Sequence, residues 1–306
     1  MFGPMFDRVV IVGVGLIGGS FALGLKAAGV VGTVVGLERS AQALARAREL
    51  GIIDVACTDP AEALQGADLV LLAAPVAQTG AILASLLPFL EPHTIVTDAG
   101  STKSDVVAGA REVMKERIRQ FVPGHPIAGR ESNGPDAAIP DLFRGKKAVL
   151  TPLQENPADM VERVAASWRA CGAIIHTLTP QEHDRVFAAV SHLPHLLAYA
   201  LVDDIANKPH ADLLFQYAAS GFRDFTRIAG SSPEMWRDIS LANRESLLGE
   251  LDAYLSQLSN LRARLAAADG AALEAVYGNA QRARHAWITA IEAAEQPLRP
   301  AQEPGK

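Results

Sequence analysis

His125 stands out among the residues that could do chemistry, because prolines and glycines on both sides fix its backbone. It lies in the segment PGHPIAG, directly after a short run at residues 120–122 that predicts a strand. A histidine held on a rigid loop is a candidate general base, since the ordinary pKa of imidazole lies near neutral pH. Ser101, in the segment DAGSTK, could hydrogen-bond this imidazole, cap a helix predicted from Thr102, or do both.

His192 and His195 form a second candidate cluster in the segment SHLPH. Residues three positions apart share one face of a helix, so both rings should point the same way. Because no carboxylate or thiolate ligand stands near them, we expect no metal site. We favour a pair that faces a ligand in a cleft between domains, and structural hydrogen bonding is the alternative.

A third cluster contains Arg223, Asp224 and Arg227 in the segment GFRDFTRIA. Guanidinium groups can bind a carboxylate through two parallel hydrogen bonds, so this stretch could hold an anionic ligand. A surface ion-pair network is the alternative, and the spacing alone favours neither interpretation.

The elements that must position these residues begin with a glycine-rich turn, GVGLIG, between a strand-like run and a helix-like run. Gly13 permits the tight turn, Gly15 lets the backbone approach a pyrophosphate, and Gly18 lets the helix pack on the strand. The helix N-terminus offers free N–H groups and positive partial charge to phosphates. The predicted cofactor-binding residues of this turn are Gly13, Gly15, Leu16, Ile17 and Gly18.

Glu38 follows the next strand-like run, about 20 positions after the glycine turn, where a carboxylate accepts hydrogen bonds from a ribose. It repels a 2′-phosphate and so favours NAD, whereas Arg39 beside it could hold the phosphate of NADP. We therefore expect NAD and leave NADP open. Two further strand ends, at Ala74 and Pro75 and at Gly100, should line the nicotinamide side, because ligands sit beyond the carboxyl ends of parallel strands.

The fold class follows from the alternation of short apolar runs with helix-like stretches up to about residue 178. It predicts an α/β fold, with an N-terminal doubly wound Rossmann-type domain at residues 1–178. From Thr179 the strand-like runs vanish, and Thr179 followed by Pro180 predicts a helix start. We predict a C-terminal all-α domain for substrate binding and dimerisation at residues 179–295, then a disordered tail at residues 296–306.

A regular apolar spacing near the end of the helical half predicts a coiled-coil-like helix. An exposed subunit interface is the favoured interpretation because the helix is long, and an internal bundle contact is the alternative. The five residues, spaced 3-4-3-4, form the leucine seam: Leu251, Tyr254, Leu258, Leu261 and Leu265.

Composition narrows the possible partners and the compartment. A net charge of −6 and a pI of about 5.8 leave no basic surface for nucleic acid or an anionic membrane. The chain starts without a signal-peptide pattern and has no uncharged apolar run of about 18 residues, so no membrane span is expected. The two cysteines, Cys57 and Cys171, match no metal or disulfide framework, which indicates a reducing compartment and hence the cytoplasm.

Five segments in this order resemble the prephenate/arogenate dehydrogenase family of tyrosine biosynthesis: GVGLIGGS, DAGSTK, GHPIAG, VSHLPH and GFRDFTRIAGSSPEMW. The resemblance extends over about residues 8–290. It implies an oxidative decarboxylation, in which hydride leaves the ring carbon bearing the 4-hydroxyl for NAD(P) and the ring carboxylate leaves as carbon dioxide. Prephenate would give 4-hydroxyphenylpyruvate, and arogenate would give tyrosine.

The resemblance also implies roles for individual residues. His125 corresponds to the catalytic histidine that bonds the 4-hydroxyl, and Ser101 corresponds to its partner. Arg227 corresponds to an arginine that binds a substrate carboxylate, while His192 and His195 correspond to pocket histidines. Family habit further implies a homodimer through the helical domain.

Two acids, Glu131 and Asp224, correspond to an ionic network at the mouth of the family's pocket. Arg130 departs from the expected pattern, because many members carry a small hydroxyl residue there. It could pair with Glu131 or reach the side-chain carboxylate of the substrate. The choice between prephenate and arogenate therefore stays open.

Two other functions remain as alternatives. A β-hydroxyacid dehydrogenase would resemble a pattern with a catalytic lysine on a helix of the second domain, but Lys208 stands directly before a proline, in a poor helix interior. A non-enzymatic NAD-sensing module would need no polar cluster beyond the cofactor. We also expect no chorismate mutase segment before Met1 and no regulatory domain after residue 306, so tyrosine feedback would act at the active site.

Overall fold

A six-stranded parallel sheet forms the first half of the structure, a computed structural model that describes residues 4–130 and 132–295. The strands are β1 (Phe6–Val12), β2 (Val31–Leu37), β3 (Val55–Cys57), β4 (Leu69–Leu72), β5 (Ile95–Asp98) and β6 (Phe121–Val122). Their spatial order is β3-β2-β1-β4-β5-β6. This is the Rossmann order. The strands are added outward in one direction from β1 to β3 and in the opposite direction from β4 to β6.

Five helices connect these strands: α1 (Leu16–Ala27), α2 (Ala41–Glu49), α3 (Pro60–Leu64), α4 (Thr79–Leu86) and α5 (Ser104–Met114). They cover both faces of the sheet. On one face Val9 and Ile11 of β1 belong to an apolar cluster with Phe21 of α1. On the other face Val10 belongs to a second cluster with Leu83 of α4. The predicted doubly wound α/β domain is confirmed.

A second sheet has three strands: β7 (Gly124–Pro126), β8 (Lys147–Leu150) and β9 (Ile174–Thr177), with helix α6 (Ala158–Ala170) between the last two. β7 lies at its edge and pairs antiparallel with β8, so that His125 lies opposite Val149. The expectation that His125 lies on a loop is wrong. An edge strand tolerates the proline that follows, because one side of the strand needs no ladder hydrogen bond.

After Thr177 every regular element in the described part of the chain is helical. The helices are α7 (Pro180–Phe187), α8 (Leu193–Ala206), α9 (Ala211–Gln216), α10 (Ser220–Thr226), α11 (Pro233–Ala242), α12 (Arg244–Ala266) and α13 (Gly270–Glu295). Thr179 caps α7 as predicted, with Glu182 closing a capping box. A π-helical segment, Ala188–His192, joins α7 to α8. The predicted all-α second half is therefore confirmed.

The continuous helical run Pro180–Ala206 is long and apolar enough, by length and composition alone, to cross a membrane. The sequence analysis expected no membrane span because no uncharged apolar run of about 18 residues occurs, and this helical run does contain charged residues, among them Glu182 and Asp184. Core helices of globular proteins meet the same criterion, and this run buries the polar side chains of His183, Asp184 and His192.

The chain divides into two compact units, residues 1–248 and 249–306. This division differs from the predicted boundary near residue 178, which stays a prediction about domains. Within the second unit the leucine seam is poorly covered: Leu258 is 42% exposed and Leu265 is 69% exposed. The predicted disordered tail lies outside the described residues.

Candidate active site

The first and third glycines of the turn after β1 are required by close backbone packing. Gly13 has a φ of 94°, a conformation that L side chains rarely adopt. A Cβ atom there would lie 2.7 Å from the carbonyl oxygen of Ala73. A Cβ atom at Gly18 would lie only 2.2 Å from the carbonyl oxygen of Gly13. Both positions therefore need glycine for the fold itself.

Gly15 differs from the other two glycines because open space surrounds it. It is the N-cap residue of α1, and a Cβ atom there would meet no heavy atom of the described residues within 4 Å. The first turn of α1, which includes Leu16 and Ile17, holds no acidic side chain, and no side chain caps it. Free N–H groups and positive partial charge therefore face this space, an arrangement that fits a pyrophosphate.

Glu38 and Arg39 follow β2 at the edge of the sheet where Gly15 lies. The Glu38 carboxylate accepts a hydrogen bond from the Arg39 backbone N–H at 2.8 Å. Ser40 is the N-cap residue of α2, where its hydroxyl accepts from the Ala43 N–H. A carboxylate at the end of β2 fits a ribose with free hydroxyls.

The ends of β4 and β5 lie at the same edge of the sheet. Ala74 and Pro75 follow β4, and Gly100 follows β5. The backbone N–H of Ala99 donates to the carbonyl of Leu72 at 2.9 Å, which ties the two strand ends together. The predicted nicotinamide-side residues therefore come together in space.

His125 makes its hydrogen bond with a residue that the sequence analysis missed, His183 of α7. His125 Nδ1 lies 2.8 Å from His183 Nε2, and His183 Nδ1 lies 2.8 Å from Asp184 Oδ1. The ring of Phe187 packs against both imidazoles, with centroids 5.0 and 4.5 Å away. The feature of the sequence that could have indicated this partner is the adjacent pair His183 and Asp184 in the helix before SHLPH.

Asp184 also caps α5, a role that the sequence analysis left open for Ser101. Its carboxylate accepts from the backbone N–H groups of Lys103 at 2.8 Å and Ser104 at 2.7 Å. The helix begins at Ser104 rather than at Thr102, so Ser101 lies too far upstream to cap it. No hydrogen bond joins the Ser101 side chain to His125 within the described residues, so their partnership stays a prediction.

A buried ion pair between Lys103 and Asp98 lies at the same edge of the sheet, and the sequence analysis missed this too. Both side chains are almost inaccessible to solvent. Asp98 also accepts hydrogen bonds from the backbone N–H of Gly100 at 2.9 Å and of Gly124 at 3.0 Å. One carboxylate thus joins the turn after β5 to the strand that carries His125.

His192 ends the π-helical segment before α8, and His195 lies in the first turn of α8. Each ring contacts a residue of α11 or the residue that caps its C-terminus. The Asn243 amide N–H₂ donates to the Asp184 carbonyl at 2.7 Å and lies 3.0 Å from His192 Nδ1. His195 stacks on Trp236, with ring centroids 3.5 Å apart. Two ring nitrogens, His192 Nε2 and His195 Nδ1, are buried without a hydrogen-bond partner among the described residues.

Burial keeps the histidines of the site uncharged. The pKa of His125 lies well below its ordinary value of 6.5, first because of burial and then because of His183, Lys103 and His192. Burial also lowers the pKa of His192 to about 4 and that of His195 to about 4. At neutral pH these rings can therefore accept protons or hydrogen bonds.

The remaining predicted residues are more exposed. Arg227 begins a short 3₁₀ turn, Arg227–Gly230, and its charge helps to lower the pKa of His195. Arg227 therefore lies near enough to His195 for its charge to act on that ring. Asp224 is 75% exposed and lies 3.8 Å from Arg223, as in the surface ion-pair alternative. Arg130 is exposed, and Glu131 lies outside the described residues.

Among the described residues, no group of three or more His, Cys, Asp or Glu side chains could hold a metal ion. The two cysteines are buried as free thiols. The arrangement instead joins an anion-binding helix terminus, a carboxylate for a ribose and an uncharged histidine. Such a site can bind a dinucleotide and take a proton from a substrate beside it.

Two family descriptions match most of the chain. Residues 21–177 match "Prephenate dehydrogenase, nucleotide-binding domain", and residues 179–278 match "Prephenate dehydrogenase, dimerization domain". Cyclohexadienyl dehydrogenase of Zymomonas mobilis is 37% identical, over 93% of this chain and 97% of that protein. Prephenate dehydrogenase of Bacillus subtilis is also 37% identical, over 84% of this chain and 70% of that protein.

Solved structures agree with these matches. Prephenate dehydrogenase from A. aeolicus, in complex with hydroxyphenyl propionate and NAD+, superposes with a TM-score of 0.86. It is 36% identical, and the match covers 91% of this chain and 97% of that one. Synechocystis arogenate dehydrogenase gives a TM-score of 0.77 at 30% identity, covering 92% and 99% of the two chains. The chain therefore belongs to the prephenate dehydrogenase family.

Proposed function

We propose that this protein is an NAD-dependent dehydrogenase that oxidatively decarboxylates prephenate. Arogenate is the proposed second substrate of the same pocket. The observation that carries the proposal is the uncharged His125, whose strand β7 is tied through Asp98 to the end of β5, at the edge of the six-stranded sheet that also presents Gly15 and Glu38. The relatives support the same chemistry, since one is named for each substrate and the A. aeolicus structure contains NAD+. The product would serve tyrosine biosynthesis.

The proposed cofactor site uses Gly13, Gly15 and Gly18 for the turn, with Leu16 and Ile17 in the first helical turn. Ala74, Pro75 and Gly100 flank the nicotinamide side. When bound, NAD accepts the hydride from the substrate. Glu38 favours NAD over NADP because its carboxylate would repel a 2′-phosphate. Arg39 stands beside it, so NADP remains the second cofactor to test.

The proposed reaction needs little from the protein beyond binding, orientation and one proton site. The 4-hydroxyl of the substrate donates to His125, which draws electron density onto that oxygen while hydride leaves its carbon. The electron pair of the bond to the ring carboxylate then enters the ring as carbon dioxide leaves. The product keeps the 4-hydroxyl and gains aromaticity, so the step runs strongly downhill.

In the proposed pocket the helical half holds the rest of the substrate. Arg227 binds a substrate carboxylate, and His192 and His195 each offer a ring nitrogen to its polar groups. Ser101 completes the hydroxyl end. Arg130 and Asp224 are assigned to the charged mouth of the pocket, and Glu131 is assigned there on the family resemblance alone. Arg130 bears on the choice between the two substrates.

The role of Arg227 is tested by Arg227→Ala. A charged hydrogen-bonded pair contributes about 1.5–3 kcal/mol, so KM for prephenate should rise about 10–10²-fold. The dissociation constant for NAD, measured by fluorescence titration, should stay unchanged. Arg169→Ala is the matched control, because Arg169 of α6 is half exposed and pairs with Glu162, outside the proposed site. A loss of NAD affinity in Arg227→Ala would assign Arg227 to the cofactor site.

The proposed assembly is a homodimer formed by the helical half, in the cytoplasm. Its support is the family description of residues 179–278 as a dimerization domain and the exposed leucine seam. We propose no nucleic-acid or membrane partner, since the net charge is −6.

The experiment that decides the function is a kinetic matrix of prephenate and arogenate, each with NAD and with NADP. We expect turnover of prephenate with NAD, and absence of turnover in all four assays would refute the proposal. A β-hydroxyacid dehydrogenase would instead oxidise simple β-hydroxy acids. Lys208, the lysine considered for that chemistry, is half exposed and pairs with Asp204 at 2.6 Å, away from any cluster described above.

A further inference from the structure

His183 and Asp184 form a hydrogen-bonded chain behind His125 that no part of the proposed reaction yet uses. The chain runs from His125 Nδ1 to His183 Nε2 at 2.8 Å and from His183 Nδ1 to Asp184 Oδ1 at 2.8 Å. His183 is fully buried and Asp184 is nearly so. Both distances are those of good hydrogen bonds, so each must have one donor and one acceptor.

The directions of these bonds follow from Asp184. Its carboxylate already accepts from the backbone N–H groups of Lys103 and Ser104, and these bonds help to hold its pKa below the ordinary value. An ionised carboxylate only accepts, so His183 Nδ1 must carry the proton. Burial lowers the pKa of His183, and the neutral ring has a single N–H. His183 Nε2 is therefore unprotonated and can only accept a hydrogen bond.

The same reasoning fixes the tautomer of His125. Because His183 Nε2 only accepts, His125 Nδ1 must donate to it, and the lone pair of neutral His125 then lies on Nε2. A base needs this lone pair toward its substrate. The wrong tautomer would present an N–H there and could not accept the substrate proton.

We propose that His183, oriented by Asp184, is a positioning residue that holds His125 in the Nδ1–H tautomer and so reserves His125 Nε2 for the substrate hydroxyl. When Nε2 accepts the hydroxyl proton, His125 becomes an imidazolium whose Nδ1–H still donates to His183, and the proton returns to the phenolate oxygen after carbon dioxide has left. The carboxylate of Asp184 lies one ring further along and stabilises that charge. This inference rests on the proposed function for its kinetic part only.

The decisive measurement is the ¹⁵N NMR spectrum of the histidine rings in the wild-type protein without ligands, with His125 assigned by its loss in His125→Asn. We expect the His125 shifts of a protonated Nδ1 and an unprotonated Nε2 at pH 7.5. A protonated Nε2 would overturn the inference. This result is independent of substrate, so it stands even if prephenate and arogenate are not turned over.

The kinetic test compares three variants. His183→Ala should lower kcat about 10²-fold with little change in KM, since a well-placed base contributes about 10²–10⁴-fold. His183→Gln should recover most of that loss, because its amide oxygen can accept from His125 Nδ1–H. Phe187→Leu is the control for packing alone, and the His125 tautomer should persist in it. Equal loss in the Gln and Ala variants, or a normal kcat in both, would contradict the proposal.

Discussion

Burial leaves several histidines of this site uncharged near neutral pH, and this property bears directly on catalysis. An imidazole buried beside the cation of Lys103 and the rings of His183 and His192 resists protonation. A base must be unprotonated in the free enzyme to act. His125 should therefore stay competent at a pH where an ordinary histidine is half protonated.

The pH dependence of kcat/KM should reflect this lowered pKa. Because the pKa of His125 lies well below 6.5, activity should persist as the pH falls through 6.5 and decline only at lower pH. His125→Asn should lower kcat by about 10²–10⁴-fold and remove this acid limb. An acid limb centred at or above pH 6.5 would contradict the assignment.

Acid unfolding must be separated from titration of the base. The folded pKa values of His192 and His195 are about 4, below the unfolded value near 6.5. The unfolded chain therefore binds more protons in this window, and the free energy of unfolding falls as the pH falls. Circular dichroism at each pH identifies the range in which the kinetics report on His125.

At this scale the sequence predicted the reactive residue but not its partner. His125 was recognisable because PGHPIAG places a histidine among backbone-fixing residues. His183 lies 58 positions away and meets His125 only through the packing of α7 beside β7. The sequence analysis did not single out Lys103, because no feature of the neighbouring sequence indicates that its side chain is buried against Asp98.

Among the elements, the turn between β1 and α1 contains glycines with two different roles, one in packing and one in leaving space for a ligand. Gly18 serves the packing of helix on strand, whereas Gly15 leaves room at the helix N-terminus. A methyl group at each position should therefore have a different effect. At Gly18 it meets backbone, and at Gly15 it meets only the space that a pyrophosphate would fill.

Gly15→Ala should therefore lower NAD affinity by more than about tenfold while changing the free energy of unfolding by about 1 kcal/mol or less. Gly18→Ala should cost about 1–3 kcal/mol of stability or more, because overpacking a tight contact forces the backbone to move. Thermal unfolding and NAD titration of both variants test this pair. Unchanged NAD affinity in Gly15→Ala would place the phosphates elsewhere.

Most strands of the six-stranded sheet were predictable, including the two-residue β6, whereas β3 and β7 were not. β1, β2, β4 and β5 each contain a buried apolar run, which is typical of parallel strands buried on both faces. β3 and β7 have three residues each, too few for a periodic signal. Their strand character comes from the neighbour that each pairs with, which sequence alone does not supply.

At the scale of the whole molecule, the second unit leaves apolar surface without cover. Leu258 and Leu265 of the leucine seam are exposed, as are Tyr277 and Trp287 of α13. Exposed apolar patches of this kind mark subunit interfaces in many proteins. The spacing of the seam was predictable from the sequence. Whether a second copy covers the seam depends on association between chains, for which a single sequence shows no pattern.

Leu258→Glu combined with Leu265→Glu should convert the proposed dimer to a monomer, because it would bury two unpaired charges in the interface. Analytical ultracentrifugation measures the outcome. Gln257→Glu, on the same helix, is the control for added charge. A double variant that sediments like the wild type would favour the internal bundle contact instead.

The carboxylate of Asp98 constrains how this site can change over evolutionary time. It holds the Lys103 cation and two backbone N–H groups from separate segments. Removing one partner of a buried pair costs about 3–5 kcal/mol. Loss of Asp98 would strand a cation and two donors at once, whereas loss of Lys103 leaves the carboxylate with both N–H groups. Substitution at either position is therefore costly, and position 98 is the more constrained of the two, because its loss leaves one cation and two N–H donors without an acceptor.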